Sequence, residues 1–173
     1  MIKNILLVAV GTLLAACSGS GLPHAAAPAL GASACEAGSV NGDAELEQYA
    51  RCTTVAGDLE ISRVTSVKAL EHLRSVDGTL TIRETDHLYS LAGLEHLRRV
   101  NVLRLEKNRG LISIGSLNAL ARAEKVSIVQ NPRLSRTHGL MAGLRHAVAE
   151  VTLVDNLGLR AEGVTMASGP SVF

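Results

Sequence analysis

Val102-Leu103-Arg104-Leu105-Glu106-Lys107-Asn108 decides the reading of this chain, because its apolar-x-apolar core returns at regular intervals. The five copies are Leu59-x-Ile61, Leu80-x-Ile82, Leu103-x-Leu105, Val126-x-Ile128 and Val151-x-Leu153, starting at positions 59, 80, 103, 126 and 151, at intervals of 21, 23, 23 and 25. A fixed period of this size marks a repeat architecture, in which each unit stacks on the next to bury a shared core. Further positions keep the same phase. Three residues after the second strand position stand Val64, Thr85, Asn108, Asn131 and Asn156, and three beyond those Val67, Leu88, Leu111, Leu134 and Leu159. Later in the repeat Leu70, Leu94, Leu117 and Leu144 align, then Leu73, Leu97, Leu120 and Ala147.

This pattern predicts a mainly β chain with short helical turns: a parallel β-solenoid of about five coils, each climbing one strand spacing of about 4.8 Å. Period-two alternation sends Leu80 and Ile82 inward and Thr79, Thr81 and Arg83 outward. Asparagine accepts left-handed dihedrals and carries both donor and acceptor, so the aligned asparagines are expected to turn the chain and bond neighbouring coils. Leu-Glu-His-Leu-Arg at 70–74 and 94–98 suits a helical turn on the far side. Asp43 to Arg51 reads as a short capping helix with an acidic start. Residues 35–56 are then the N-terminal cap, 57–164 the repeats and 165–173 a tail; Val164, Met166, Val172 and Phe173 are expected to cover the last coil loosely, the alternative being that this coil is a docking surface.

The chain starts with one basic residue, Lys3, and an apolar run from Ile5 to Leu14. That run is too short to span about 30 Å of hydrocarbon and has the layout of an export signal. The Leu14-Ala15-Ala16-Cys17 that follows resembles the lipobox of bacterial lipoprotein signals. The resemblance implies cleavage of residues 1–16, lipidation of Cys17 and attachment to a membrane, with the uncharged Ser, Gly, Ala and Pro of 17–34 as a flexible tether. Ser18, rather than Asp, after the cysteine favours an outer membrane. Three cysteines are an odd number for an exported chain. Lipidation of Cys17 leaves Cys35 and Cys52 as a natural disulfide pair, the alternatives being two free thiols or half a metal site.

Cys35, then Cys52-Thr53-Thr54-Val55-Ala56-Gly57-Asp58-Leu59-Glu60-Ile61, then copies of Gly-x-Leu-x-Ile followed by leucines three apart, resemble the receptor L-domain. The resemblance covers roughly residues 35–160. It implies a right-handed solenoid, a cap tied by Cys35 and Cys52, and an outer face that meets protein ligands. A cysteine-rich partner domain and a closing cysteine after the last coil, which the receptors carry, do not follow here, so receptor signalling does not transfer.

No residue pattern in the sequence points to catalysis. His72, His96 and His146 recur in phase, which duplication explains, and no metal or other cofactor is expected. Outward carboxylates are scattered over distant coils rather than paired at about 5 to 9 Å as glycoside cleavage requires. No Gly-x-Ser-x-Gly or phosphate loop occurs, so an enzyme is not expected. Without Lys3 the 17 basic residues become 16, equal to the 16 acidic ones, which gives nucleic acid no electrostatic hold. Only Tyr49, Tyr89 and Phe173 are aromatic, which disfavours carbohydrate. Arg83, Arg104 and Glu106 on the sheet face are the candidates for contact with a protein partner in the envelope, Arg83 and Glu106 being expected to form a cross-strand ion pair. A spacer lipoprotein with no ligand, or a truncated relative of a larger receptor, is the alternative.

Overall fold

A computed structural model describes residues 33–137 and 150–162. Six strands form one parallel sheet in sequence order: β1 (Ala34–Asn41), β2 (Thr54–Ser62), β3 (Ser75–Arg83), β4 (Arg99–Glu106), β5 (Lys125–Val129) and β6 (Glu150–Val154). Every strand pairs with the next one along the chain, as expected of stacked leucine-rich repeats. Leu59, Leu80, Leu103, Val126 and Val151 share one row of the register, and Ile61, Ile82, Leu105, Ile128 and Leu153 another. Through β5 these residues are fully buried, while Val151 and Leu153 are partly so.

The returns between strands are short and largely irregular. Lys68–Leu70 and Gly115–Ala119 are 3₁₀ turns, and the expected helical turn at 94–98 is no more than bends and tight turns. Twenty-odd residues must complete each circuit and place several leucines inward, which leaves no room for a full helix. Leu70, Leu94 and Leu117 and then Leu73, Leu97 and Leu120 all lie in the core. Each buried leucine contributes roughly 1.5–3 kcal/mol. Parallel bridges Ser90–Ser113 and Ser113–Arg136 continue the stacking on a second side. Gly93 packs so closely on the previous repeat that a Cβ there would collide with the Val67 carbonyl, and Gly110 meets Asp86 in the same way.

The cap departs from the sequence reading in two respects. The helix is shorter than Asp43 to Arg51: an α-helical turn at Asp43–Leu46 passes into 3₁₀ over Glu47–Tyr49, because the chain must close quickly onto Cys52, whose amide donates to the Tyr49 carbonyl. The cap also supplies a sixth strand, β1, which the repeat pattern did not reveal. Only Val40 in β1 is buried, and its pairing with β2 is interrupted between Glu36 and Gly38. Cys35 and Cys52 are joined by a disulfide, with Cα atoms 5.7 Å apart. Closing a loop of this size contributes about 3 kcal/mol in the chain-entropy model.

Asp43 ties the cap to the first repeat. Its carboxylate accepts from the Thr65 amide at 2.8 Å, the Thr65 hydroxyl at 2.5 Å and the Ser66 amide at 3.4 Å. The Thr65 hydroxyl bond chiefly holds its pKa below the ordinary 3.8. A carboxyl group whose pKa is lowered on folding stabilises above its unfolded value and loses that contribution as pH falls through the folded one. The urea midpoint of the wild-type protein is therefore expected to fall more steeply below pH 3.8 than that of Asp43→Asn, and two superimposable pH curves would refute this role.

The signal segment, Cys17, residues 17–32 of the tether, Leu144, His146, Ala147 and the tail from 163 lie outside the described residues.

The asparagine column is the main polar structure of the interior. Asn108, Asn131 and Asn156 are buried with Thr85 in line. Their amide groups donate to the Ile82, Leu105 and Ile128 carbonyls at 2.9, 2.9 and 2.7 Å. Their oxygens accept from the Thr85, Asn108 and Asn131 amides of the preceding repeat at 3.3, 3.1 and 3.0 Å. The sharp turn, however, is made one residue earlier than expected. Arg63, Glu84, Lys107, Gln130 and Asp155 hold the left-handed conformation, φ 53 to 57°. This frees each asparagine to point inward and bridge two repeats. Asn131→Ala leaves the Leu105 carbonyl and the Asn108 amide without these partners, so a loss of about 3 kcal/mol is expected in equilibrium urea unfolding.

Candidate functional site

The outward side of the sheet is a grid set by register. Glu60, Thr81, Arg104, Ser127 and Thr152 form one row, and Ser62, Arg83, Glu106, Val129 and Val154 the next. Register places Arg83 opposite Glu106, yet the expected ion pair between them is not the one formed. Arg83 turns back to Glu60 on β2, with Nη2 at 2.6 Å and Nε at 2.7 Å, and its Nη1 reaches Glu84 at 2.9 Å. Glu60 on the preceding strand and Glu84 next to Arg83 in the chain together outcompete Glu106. The Glu60 bond and charge, with Glu84 behind them, raise the pKa of the guanidinium further. Glu106 instead lies 3.8 Å from Arg104, two positions before it on the same strand.

The three predicted contact residues thus do not converge. Arg83 is held between two glutamates. Arg104, with half of its side chain exposed, is the freer cation. It borders a hollow of about 220 Å³ with Asp58, Glu60, Thr79 and Thr81. At the edge of the sheet, Lys125 and Glu150 form a direct cross-strand pair at 2.7 Å.

A larger feature runs beside this face, and the sequence reading missed it. The left-handed residues Arg63, Glu84, Lys107, Gln130 and Asp155 stack one above another and, with Asp86, Arg109 and Pro132, line a groove of about 800 Å³. Its charges alternate in sign, and Arg109 sits 4.0 Å from Asp86. The available signal was positional: the five left-handed residues immediately precede, and Asp86, Arg109 and Pro132 immediately follow, members of the phased Val-Thr-Asn column. A left-handed conformation costs a residue with a Cβ roughly 1–2 kcal/mol, a cost glycine escapes. The first turn does use glycine, Gly42 at φ 107°. The other five carry long or polar side chains. Lys107→Gly is expected to keep or raise the thermal midpoint, whereas Gly93→Ala lowers it by several degrees; a fall for Lys107→Gly would show that the lysine side chain stabilises the turn.

Among the described residues no group of three His, Cys, Asp or Glu side chains could hold a metal ion. No helix among them is long and apolar enough to cross a membrane.

One parallel sheet, leucine-rich returns, a disulfide at the first strands and an outward grid of mainly polar side chains beside a charged groove define a leucine-rich β domain. The chain belongs to the Receptor L domain family, whose match spans residues 51–143, more than half of its length. The family is one of non-enzymatic, ligand-binding domains. No curated protein and no solved structure matches the chain.

Proposed function

We propose that this protein is a lipid-anchored envelope receptor module: a right-handed solenoid, held to the outer membrane through Cys17, that binds a protein partner on its sheet face and the adjoining turn groove. The observation that carries the reading is the 800 Å³ groove lined by five stacked residues that keep side chains where glycine would relieve the backbone. Groove and grid both derive from the register, so they form a rigid surface with fixed charge positions. Such a surface binds with little loss of side-chain and loop freedom, which favours recognition of a folded partner. Parallel crossovers are right-handed in nearly all known cases, which supports the handedness. The leading segment supports the anchor: an export-like apolar run followed by Leu14-Ala15-Ala16-Cys17.

The test is crosslinking in cells followed by purification of the acylated chain from detergent-solubilised envelope. A stoichiometric partner is expected with the wild type and is expected to be lost with Arg104→Glu combined with Lys107→Glu, two exposed positions whose exchange reverses local charge without touching the core. Cys17→Ser is expected to abolish palmitate labelling. A wild-type chain that crosslinks to nothing would sink the binding role and leave a spacer; unchanged labelling of Cys17→Ser would sink the anchor.

A further inference from the structure

Four cations on or beside the sheet face have a carboxylate within reach: Arg83 has Glu60 and Glu84, Arg104 has Glu106, Arg109 has Asp86 and Lys125 has Glu150. Arg63 and Lys107 have none among the described residues, but they alternate with Glu84 and Asp155 along the turn groove, whereas Arg74, Arg98, Arg99 and Arg122 lie together without a carboxylate among them. The four line a single groove of about 330 Å³ with Ser75 and Ala121, at the end of the sheet where strands begin. Among the described residues none of them forms an ion pair. Of the carboxylates near them in sequence, Glu95 accepts from the Gly93 amide, and none pairs with the four arginines.

Backbone bonds hold the cluster in place. The Arg98 and Arg99 amides both donate to the Arg74 carbonyl, at 2.8 and 3.2 Å, and the Ala121 and Arg122 amides both donate to the Arg98 carbonyl, at 2.9 and 3.1 Å. Arg99 is further bridged to Arg122. Neighbouring arginines are thus set about one strand spacing, roughly 4.8 Å, apart. Like charges held this close repel one another, and nothing in the fold needs them there: all four side chains are exposed and none fills the core.

A guanidinium offers a planar fork that matches the oxygens of a carboxylate or a phosphate. The hollow is small, and the amides of Arg98, Arg99 and Arg122 are already spent between repeats, so recognition falls to the guanidinium groups alone. Four of them around one hollow match two negative charges and three oxygens on one centre better than the single charge and two oxygens of a carboxylate. We propose that the Arg74, Arg98, Arg99 and Arg122 groove is a binding site for a phosphate-class oxyanion, carried by a soluble phosphate ester or by a phospholipid headgroup. The site is separate from the face assigned to a protein partner, and either assignment can fail alone.

The experiment is calorimetric titration of the full chain in neutral detergent with inorganic phosphate at constant ionic strength. Saturable binding is expected, weakened about tenfold or more by Arg98→Gln with Arg122→Gln and unchanged by Arg104→Gln. The double variant is expected to keep or raise its thermal midpoint in phosphate-free, low-salt buffer, since it removes repulsion and no packing. Two further titrants separate the sources: tighter binding of dihexanoyl phosphatidic acid than of glycerol phosphate assigns the site to a lipid headgroup, and equal binding assigns it to a soluble ester. Absence of saturable phosphate binding, or binding that survives the double substitution, overturns the proposal. Binding of polyglutamate but not of phosphate overturns it in favour of an acidic protein segment.

Discussion

The carbonyls of Ile82, Leu105 and Ile128 sit at the ends of strands, over an interior otherwise filled with leucine, isoleucine and valine. A carbonyl buried there without a donor costs about 1–3 kcal/mol, and the cost would recur in every repeat. The asparagine amides of Asn108, Asn131 and Asn156 meet that need from one repeat further on. Because each asparagine oxygen also accepts from the repeat before it, no member can shift register alone. The pairing of strands, the inward leucines and the outward grid all follow from that fixed offset. Thr85 takes the position in the repeat before the first asparagine, and its hydroxyl donates to Asn108 at 2.8 Å, so the ladder ends without an orphaned polar group.

Fixed register has a cost at the surface. It stacks equivalent side chains at one strand spacing, so whatever charge a position carries meets the charge of its copies. Where the copies differ in sign, as at Arg63, Glu84, Lys107 and Asp155, the stack is close to neutral. Where they agree, as at Arg74 and Arg98, charge accumulates. The two grooves therefore differ in kind although one rule builds both.

Much of the fold was legible because a repeat states its own geometry several times. The inward rows, the bonding of neighbouring coils by asparagine and the Cys35–Cys52 disulfide could all be read from spacing, from the odd cysteine count and from a family resemblance. β1 could not: it occurs once, buries only Val40, and owes its place to pairing with β2 and to Tyr49 packing over Gly38. The partner of Arg83 was misjudged because register fixes Cα positions, whereas a long side chain chooses among all carboxylates within its reach, here Glu60 and Glu84. The left-handed turn was placed on asparagine because asparagine tolerates it best. The interior bonds required the asparagines to face inward, so Lys107 and Gln130 take the strain instead. The arginine groove went unnoticed because its members fall at the ends of leucine segments, and only the return of the chain brings Arg74 beside Arg98 and Arg99 beside Arg122.

The disulfide also determines how the domain carries tension. Cys35 is the second residue of β1, and its bond leads straight to Cys52, two residues ahead of β2. A pull on the chain ahead of Cys35 therefore bypasses residues 36–51, which lie between the two cysteines, and reaches the entrance of the first full repeat. Neither β1 nor the cap helix can be drawn out as slack while the bond is intact. The covalent loop acts as a mechanical shackle, and the load passes directly to the start of β2 in the in-register sheet.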